Sequence, residues 1–176
     1  MNGISSAKIG PWIKAMVSMR ARQGSIKHIT GASAFTIKEQ WMATHGRPSP
    51  SGQNPSDMEW FLRTANLRYQ SAFFLMLFQA AKIGHAKQTA IAAAYYHFAH
   101  ITSGECGRKS LTPAYRNDES DYTLPFARAH YLASIFTDAK DPQGGRLCFL
   151  EIKKCRRCAG KYLAHKDERA VCPPCL

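Results

Sequence analysis

Long apolar runs and acidic residues are both scarce in this sequence. The longest uninterrupted apolar run, Ala72 to Phe78, is far shorter than the about 18 residues that a membrane-spanning helix needs. We therefore expect no contact with a membrane. Only 12 Asp and Glu residues stand against 24 Lys and Arg residues, which gives a formal net charge of +12. This surplus fits a polyanionic partner such as nucleic acid, although it would also serve solubility alone.

The motifs of several enzyme classes are also missing. The sequence has no HExxH metalloprotease motif, no P-loop and no GxSxG nucleophile motif. His97 and His100 have no acidic third ligand nearby, and we interpret them as packing or surface residues. An enzyme acting on nucleic acid would lack a candidate catalytic set. The N-terminus shows no secretory signal pattern, so we expect a cytoplasmic protein. Because no catalytic motif or candidate catalytic set is found, we also expect that the protein is not an enzyme.

Four of the six cysteines lie in the last 22 residues, as Cys155-Arg-Arg-Cys158 and Cys172-Pro-Pro-Cys175 with 13 residues between the pairs. Each pair can turn around an ion on a tight knuckle, and two knuckles complete a tetrahedron of thiolates. Such a site has no open coordination position, so its metal is structural. One Zn²⁺ is the first choice, while a four-thiolate iron site and a pair of disulfides are the alternatives. The remaining two, Cys106 and Cys148, are interpreted as idle thiols.

Hydrophobic periodicity predicts a mostly α-helical fold. A capping-box pattern begins at Ser56, with Glu59 three residues on, and its helix carries an inward stripe that includes Tyr69, Met76 and Ile83. This helix and the next should form an αα-hairpin. The predicted helices cover residues 8–22, two short segments within 25–44, 56–83, 86–102 and 124–137, and a short strand covers 146–153. We divide the chain into a helical domain, 1–145, and a zinc-ribbon-like metal-binding module, 146–176.

The break at Thr30-Gly31-Ala32-Ser33 predicts a helix-turn-helix within about residues 25–45. In that motif a glycine in the left-handed conformation reverses the chain, and the next polar residue caps the helix that enters the major groove. The inward residues would be Ile26, Ile29, Ile37 and Trp41. Ser33, Thr36 and Lys38 would lie at the groove-facing start of the second helix. A plain helical corner has the same spacing and remains the alternative.

Basic residues surround the four cysteines. Seven Lys and Arg residues lie between 151 and 169, against three acidic ones, which leaves a side-chain surplus of +4. This exceeds the charge of −2 that four thiolates and one divalent ion carry together. We therefore predict phosphate contacts by Arg156, Arg157 and Lys161. The alternative is that these cations only stabilise the thiolates and keep the surface solvated.

An ordered set of landmarks across roughly residues 20 to 176 resembles the FlhC family, a subunit of the bacterial flagellar master transcriptional activator. The landmarks include the Gly46-Arg47-Pro48-Ser49-Pro50-Ser51-Gly52 loop, Asp57-Met58-Glu59-Trp60-Phe61 and Phe126-Ala127-Arg128-Ala129. The others are the break at Gly31, the apolar helix around Phe73, and the paired CxxC module with Gly160. The sequence departs from the family pattern in the connection 103–123 and in showing no basic tail beyond Leu176.

The resemblance implies a DNA-binding transcriptional activator that assembles with FlhD as a heterohexamer of two FlhC-type and four FlhD-type chains. It further implies binding to double-stranded promoter DNA of flagellar (class II) genes, recruitment of RNA polymerase, and zinc on Cys155, Cys158, Cys172 and Cys175. The other function considered is a zinc-ribbon protein–protein adaptor without direct DNA binding. Our candidate DNA contacts are Ser33, Thr36, Lys38, Arg47, Arg156, Arg157 and Lys161.

Overall fold

The structure is a computed structural model that describes residues 6–49, 55–103, 124–138 and 149–176. This part of the chain holds six α-helices and one two-stranded antiparallel sheet, which confirms the mostly helical fold. The helices are α1 (Ser6–Ser18), α2 (Gln23–Thr30), α3 (Ala34–His45), α4 (Ala65–Ala81), α5 (Lys87–Ser103) and α6 (Phe126–Asp138), and the strands are β1 (Leu150–Lys154) and β2 (Lys161–His165).

The predicted turn between α2 and α3 is confirmed in its details. Gly31 ends α2 with a φ of 70°, in the left-handed region that glycine adopts without a steric cost. The Ser33 hydroxyl caps α3 by accepting a hydrogen bond of 3.1 Å from the Thr36 N–H. Thr30 tightens the turn, because its side-chain oxygen accepts from the Ala32 N–H at 3.1 Å. Local sequence therefore sets this corner.

The four residues predicted to face inward around this corner are buried. Ile26, Ile29, Ile37 and Trp41 are at most 6% exposed and join the main apolar core. His45, at the end of α3, adds a polar contact at 2.9 Å between its Nε2 and the Val17 carbonyl of α1. The first three helices therefore form one packed unit on the core.

The predicted start of the long helix at Ser56 is wrong. The side chain of Asp57 accepts the Glu59 N–H at 3.0 Å, and only a short 3-10 turn, Glu59–Leu62, follows. The Ser56 carbonyl instead accepts a hydrogen bond of 2.6 Å from the Tyr131 hydroxyl of α6. The helix begins at Ala65, where the Thr64 side chain caps it. A tertiary contact therefore overrides a local pattern that resembles a capping box.

The predicted αα-hairpin of α4 and α5 is confirmed and carries an aromatic core. Phe74 packs against Tyr95 and Phe98 with ring centroids 6.3 and 6.1 Å apart, both edge to face. The predicted inward stripe is wrong at two positions: Met76 of α4 is 38% exposed, and Ile83 lies beyond the end of α4 and is 90% exposed. Helix α4 contacts α5, α6 and β2, so its buried surface is wider than one stripe. The buried residues of the helix are Leu67, Ser71, Ala72, Phe74, Leu75 and Phe78.

The C-terminal hairpin pairs β1 with β2 in a register that joins Leu150 to His165 and Lys154 to Lys161. Strand β2 packs on α4, and Leu150 and Leu163 belong to the same apolar core as the helices. The predicted domain boundary near residue 146, the connection 103–123 after Ser103, Cys106 and Cys148 lie outside the described residues. The division into two domains stays a prediction.

Candidate metal centre and its basic surface

The four C-terminal cysteines come together as the sequence pattern requires. Their Sγ atoms all lie within 4.8 Å of one another, and those of Cys158 and Cys172 are 3.6 Å apart. Zn–S bonds of about 2.3 Å place the sulfurs of a tetrahedral site about 3.8 Å apart. A disulfide would need about 2.05 Å. The four sulfurs are therefore arranged as a set of metal ligands and not as two disulfides.

The first knuckle follows β1 and is shaped by backbone hydrogen bonds. The Cys155 N–H donates to the Gly160 carbonyl at 2.9 Å, and the Cys155 carbonyl accepts from the Ala159 N–H at 3.0 Å. Ala159 adopts a φ of 59°, in the left-handed region that non-glycine residues seldom enter. The Arg157 N–H points at the Cys155 sulfur at 3.4 Å. This turn brings Cys155 and Cys158 to one point.

The second knuckle is the 3-10 turn Pro173–Cys175. Its two prolines fix φ and lack N–H groups, so little conformational freedom remains between the two cysteines. The Cys175 N–H donates to the Cys172 carbonyl at 2.9 Å. The Cys172 N–H points at the Cys155 sulfur at 3.4 Å, which joins the two knuckles.

The pKa values of two of the thiols, Cys155 and Cys175, are shifted in opposite directions. Hydrogen bonds from the Cys158, Cys172 and Arg157 backbones lower the pKa of Cys155 to about 6, so its thiolate forms near neutral pH. Hydrogen bonds with the Cys172 and Cys158 side chains raise the pKa of Cys175 to about 12. A metal ion would have to displace the Cys175 proton, so metal affinity should rise with pH.

Helix α4 holds the hairpin against the helical region through two adjacent side chains. The Arg68 guanidinium binds the Glu168 carboxylate at 2.5 Å, and both side chains are three-quarters buried or more. The Tyr69 ring packs against the small cluster that contains Cys155, Tyr162 and Cys172. Lys153 closes the turn after β2, because its Nζ donates to the Lys166 carbonyl at 2.6 Å and to the Glu168 carbonyl.

Each acidic side chain of the hairpin already has a partner. Glu151 binds Lys153 at 3.2 Å, Asp167 lies 3.4 Å from the His165 ring, and Glu168 binds Arg68. Five exposed cations remain, and within the described residues no acidic group contacts them. We call them the basic surface: Lys154, Arg156, Lys161, Lys166 and Arg169.

The structure shows different contacts for the three basic residues that the sequence predicts to bind phosphate. Arg156 and Lys161 belong to the basic surface. Arg157 instead donates its guanidinium N–H to the Cys175 carbonyl, so it braces the second knuckle. Spacing alone could not separate Arg156 from Arg157, because both lie between the same two cysteines.

The candidate DNA-contacting residues on and around α3 are all exposed, but two of them hydrogen-bond to each other. The Ser33 and Thr36 hydroxyls lie 2.9 Å apart, in addition to the N-cap bond. Lys38 lies along the exposed side of α3, and Arg47 follows the helix. Phe35 and Met42 are 69% and 48% exposed on the same helix. Its outer surface is therefore partly apolar.

Sequence reasoning missed the contacts that α4 makes to the hairpin. Arg68 and Glu168 are 100 positions apart, and no local pattern connects them. A Tyr next to an Arg on a helix has no spacing that indicates packing against the cysteine cluster. The histidines at 97 and 100, considered as ligands, are exposed on α5 and lie outside the metal-ligand cluster that the described residues form.

The fold and the site together define a mostly helical protein with a C-terminal four-cysteine metal centre. A scan against protein-family models and a search of curated proteins found no match to this chain. Among the described residues, no helix has both the length and the apolar character needed to span a membrane.

Proposed function

We propose that this chain is a double-stranded-DNA-binding transcriptional activator subunit of the FlhC type, with one structural Zn²⁺ on Cys155, Cys158, Cys172 and Cys175. The observation that carries the proposal is the basic surface on the metal-bearing hairpin. Five exposed cations lie there, while every acidic side chain of the hairpin is engaged elsewhere. Such a surface favours a polyanion over a protein partner of ordinary charge.

Zinc fits the donor set better than the other common ions. Four thiolates are soft ligands that suit Zn²⁺ or iron and disfavour calcium and magnesium. Two of the four sulfurs, those of Cys155 and Cys172, belong to residues at most 2% exposed. Bound Zn²⁺ would supply folding free energy to the hairpin and would leave no position for a substrate. Its work is therefore to hold the knuckles and the basic surface in place.

The pairing of β1 with β2 adds a specific reason to expect an anion. Lys154 and Lys161 are direct partners across the two strands, and like charges in that position destabilise a sheet. A phosphate group between them would offset the repulsion. Arg156 follows on the adjoining knuckle, so a nucleic-acid backbone could contact all three side chains.

The second DNA-contacting element would be the α2–α3 corner. Its left-handed Gly31 and its Ser33 cap have the form of a helix-turn-helix. Since the Ser33 and Thr36 hydroxyls bind each other, their role is to fix the start of α3. Lys38, which is exposed on α3, remains a candidate for phosphate contact on this side, and Arg47 follows the helix as a second candidate.

The proposed role in flagellar gene activation rests on the resemblance to the FlhC family. We propose assembly with an FlhD-type subunit as a heterohexamer, binding at flagellar (class II) promoters, and recruitment of RNA polymerase in the cytoplasm. A zinc-ribbon protein–protein adaptor without direct DNA binding is the second candidate. The partly apolar outer surface of α3, with Phe35 and Met42 exposed, favours that reading.

The test is DNA affinity measured by fluorescence anisotropy between about 50 and 200 mM salt, with and without an FlhD-type partner. Arg156→Ala should weaken binding to all sequences about equally and reduce the salt slope by roughly one charge. Lys161→Ala should act in the same way. Lys14→Ala removes an exposed cation of α1, outside both proposed contact regions, and should leave the slope unchanged.

Two results would overturn the proposal. Absence of DNA binding both alone and with the partner would favour the adaptor. An unchanged salt slope in both Arg156→Ala and Lys161→Ala would remove the basic surface from the interface. Metal analysis of the purified complex decides the ion separately, since iron in place of zinc would contradict the metal assignment alone.

A further inference from the structure

Two histidines from distant parts of the chain meet at their ring nitrogens. His28 lies in the last turn of α2, and His130 lies in α6, 102 positions further on. The His28 Nδ1 and the His130 Nε2 are 3.3 Å apart, and the two ring planes are nearly perpendicular, at 88°. Helices α2 and α6 both pack on α5. The pair is therefore a direct link between two helices that share one support.

The separation of the two nitrogens matches that of two ligands of one tetrahedral ion. Zn–N bonds of about 2.05 Å at the tetrahedral angle place two ring nitrogens about 3.3 Å apart. A direct hydrogen bond is the alternative, but 3.3 Å is longer than the about 2.7–3.2 Å that N–H donors usually adopt. A direct bond also requires one facing nitrogen to carry a proton, whereas a shared metal requires both to be free of one.

The surroundings of the pair give an ion access and hold one ring in place. His28 is exposed, so an ion can reach it from solvent. His130 is partly buried, and its ring stacks on that of Phe126 with centroids 6.5 Å apart. Burial, His28 and Lys87 lower the pKa of His130 to about 4. Its ring is therefore neutral near pH 7, which is the form of imidazole that binds metals.

We propose that His28 and His130 form a second zinc site, in which two imidazoles and water ligands hold an exchangeable Zn²⁺ that joins α2 to α6. Imidazole is a ligand that suits Zn²⁺. The described residues bring no third protein ligand to the pair, so the ion is held more weakly than by four thiolates and dialysis removes it. Because α2 begins the α2–α3 corner, the bound ion fixes that corner on the helical region. The inference rests neither on the cysteine centre nor on DNA binding.

The first test counts zinc ions per chain. Protein purified with zinc and then dialysed is equilibrated with radioactive Zn²⁺ at rising concentration. Wild type should take up one further ion, and His28→Ala should lose that ion while keeping any that the cysteines hold. His28 is exposed, so the variant should keep its helical circular dichroism. If the cysteines bound no metal, the same difference of one ion between the two proteins would remain.

His97→Ala is the matched control. His97 and His100 lie one turn apart and exposed on α5, so they are the other histidine pair that could hold an exchangeable ion. His97→Ala should take up the further ion as wild type does. Equal uptake by wild type and His28→Ala, no further ion in wild type, or its loss in His97→Ala alone would overturn the proposal.

The second test identifies the ligand atoms. In ¹⁵N-labelled protein, the chemical shifts of the imidazole nitrogens report which of them carries a proton or a metal. Zinc should leave the proton on Nε2 of His28 and on Nδ1 of His130, because the two facing nitrogens bind the ion. In a hydrogen-bonded pair, one facing nitrogen keeps its proton at every zinc concentration. This second pattern in zinc-saturated protein would contradict the shared ion.

Discussion

The helical region and the hairpin are stabilised by different means. In the helical region, buried aromatic and aliphatic side chains form a continuous core around Phe74, Tyr95 and Phe98. The metal centre has its own small cluster, whose fully enclosed members are Cys155, Tyr162, Ala164 and Cys172. Two of these four are candidate metal ligands. Apolar burial can therefore stabilise the helices, whereas it is too small to fix the two knuckles.

This difference shows where the free energy of the knuckles must come from. A segment of this size without a core is stabilised by a metal, by disulfides or by a partner. The strand pairing and the contacts of Leu150 and Leu163 with the helical core anchor one end of the hairpin. The other end, with both knuckles and with Lys154, Arg156 and Lys161 of the basic surface, depends on the four sulfurs.

Removal of one ligand should produce the largest effect. Cys158→Ser leaves three thiolates, and we expect most of the metal-binding free energy, on the order of 10 kcal/mol for a structural zinc, to be lost. The knuckles should then unfold while α1 to α6 persist. Metal content per chain measures the loss of the ion, and amide hydrogen exchange over 149–176 measures the unfolding of the knuckles.

Cys106→Ser is the control for this prediction, because it leaves the four clustered cysteines intact and should retain the metal. Stoichiometric zinc in Cys158→Ser, with normal protection of the knuckles, would remove Cys158 from the ligand set. Loss of the helices together with the metal would contradict the distinction between the two regions.

A core substitution should produce the converse effect. Phe74 is fully buried, and Phe74→Ala should lower the free energy of unfolding by about 3–5 kcal/mol through lost burial and a residual cavity. The variant should still bind one metal ion below its unfolding transition. Urea denaturation with metal analysis measures both quantities.

Phe35→Ala is the matched control for the core substitution. Phe35 is 69% exposed, so its loss should change the free energy of unfolding by only about 0.5 kcal/mol. A similar loss of stability in both variants would mean that Phe35 packs in the folded protein. A loss of metal in Phe74→Ala would show that the hairpin depends on the helical core more strongly than its contacts indicate.

Some structural features could be predicted from local sequence, whereas others depend on contacts between distant residues. The α2–α3 corner was predictable because its determinants, Gly31 and Ser33, act within a few residues of their own positions. The bounds of α5 were predicted within one residue for the same reason. The four cysteines were predictable because knuckle spacing and ligand chemistry are local properties. None of these three predictions needed a partner from a distant part of the chain.

The sequence was less informative where a contact with another part of the chain decides the role of a residue. Ser56 has the local pattern of a helix cap, but Tyr131 takes its carbonyl. Arg157 has the same sequence context as Arg156, but the Cys175 carbonyl takes its guanidinium. Tyr69 packs against the cysteine cluster because β2 packs on α4. Contacts between elements therefore fixed which residues serve the site, and spacing could not reveal them.

Acid should act on both regions through different groups, and this is the smallest effect we predict. His130 of α6 lies 3.3 Å from His28 of α2, nitrogen to nitrogen, and burial, His28 and Lys87 lower its pKa to about 4. The unfolded state, with an ordinary pKa of 6.5, then binds more protons between these values. Stability is complete above about pH 7 and falls as the pH decreases toward 4.

At pH 5 the loss should be about 2 kcal/mol relative to pH 7.5, measured by urea denaturation at each pH. His130→Gln cannot take up this proton and should flatten the profile, whereas His97→Gln, which removes an exposed histidine of α5, should not. Protonation of the thiolates also releases metal as pH falls, but His130→Gln leaves those sulfurs unchanged. The pH midpoint of metal release in His130→Gln should therefore match that of wild type. The pH midpoint of helix unfolding in the variant should lie lower than in wild type. Parallel shifts of both midpoints would mean that the two regions unfold as one unit.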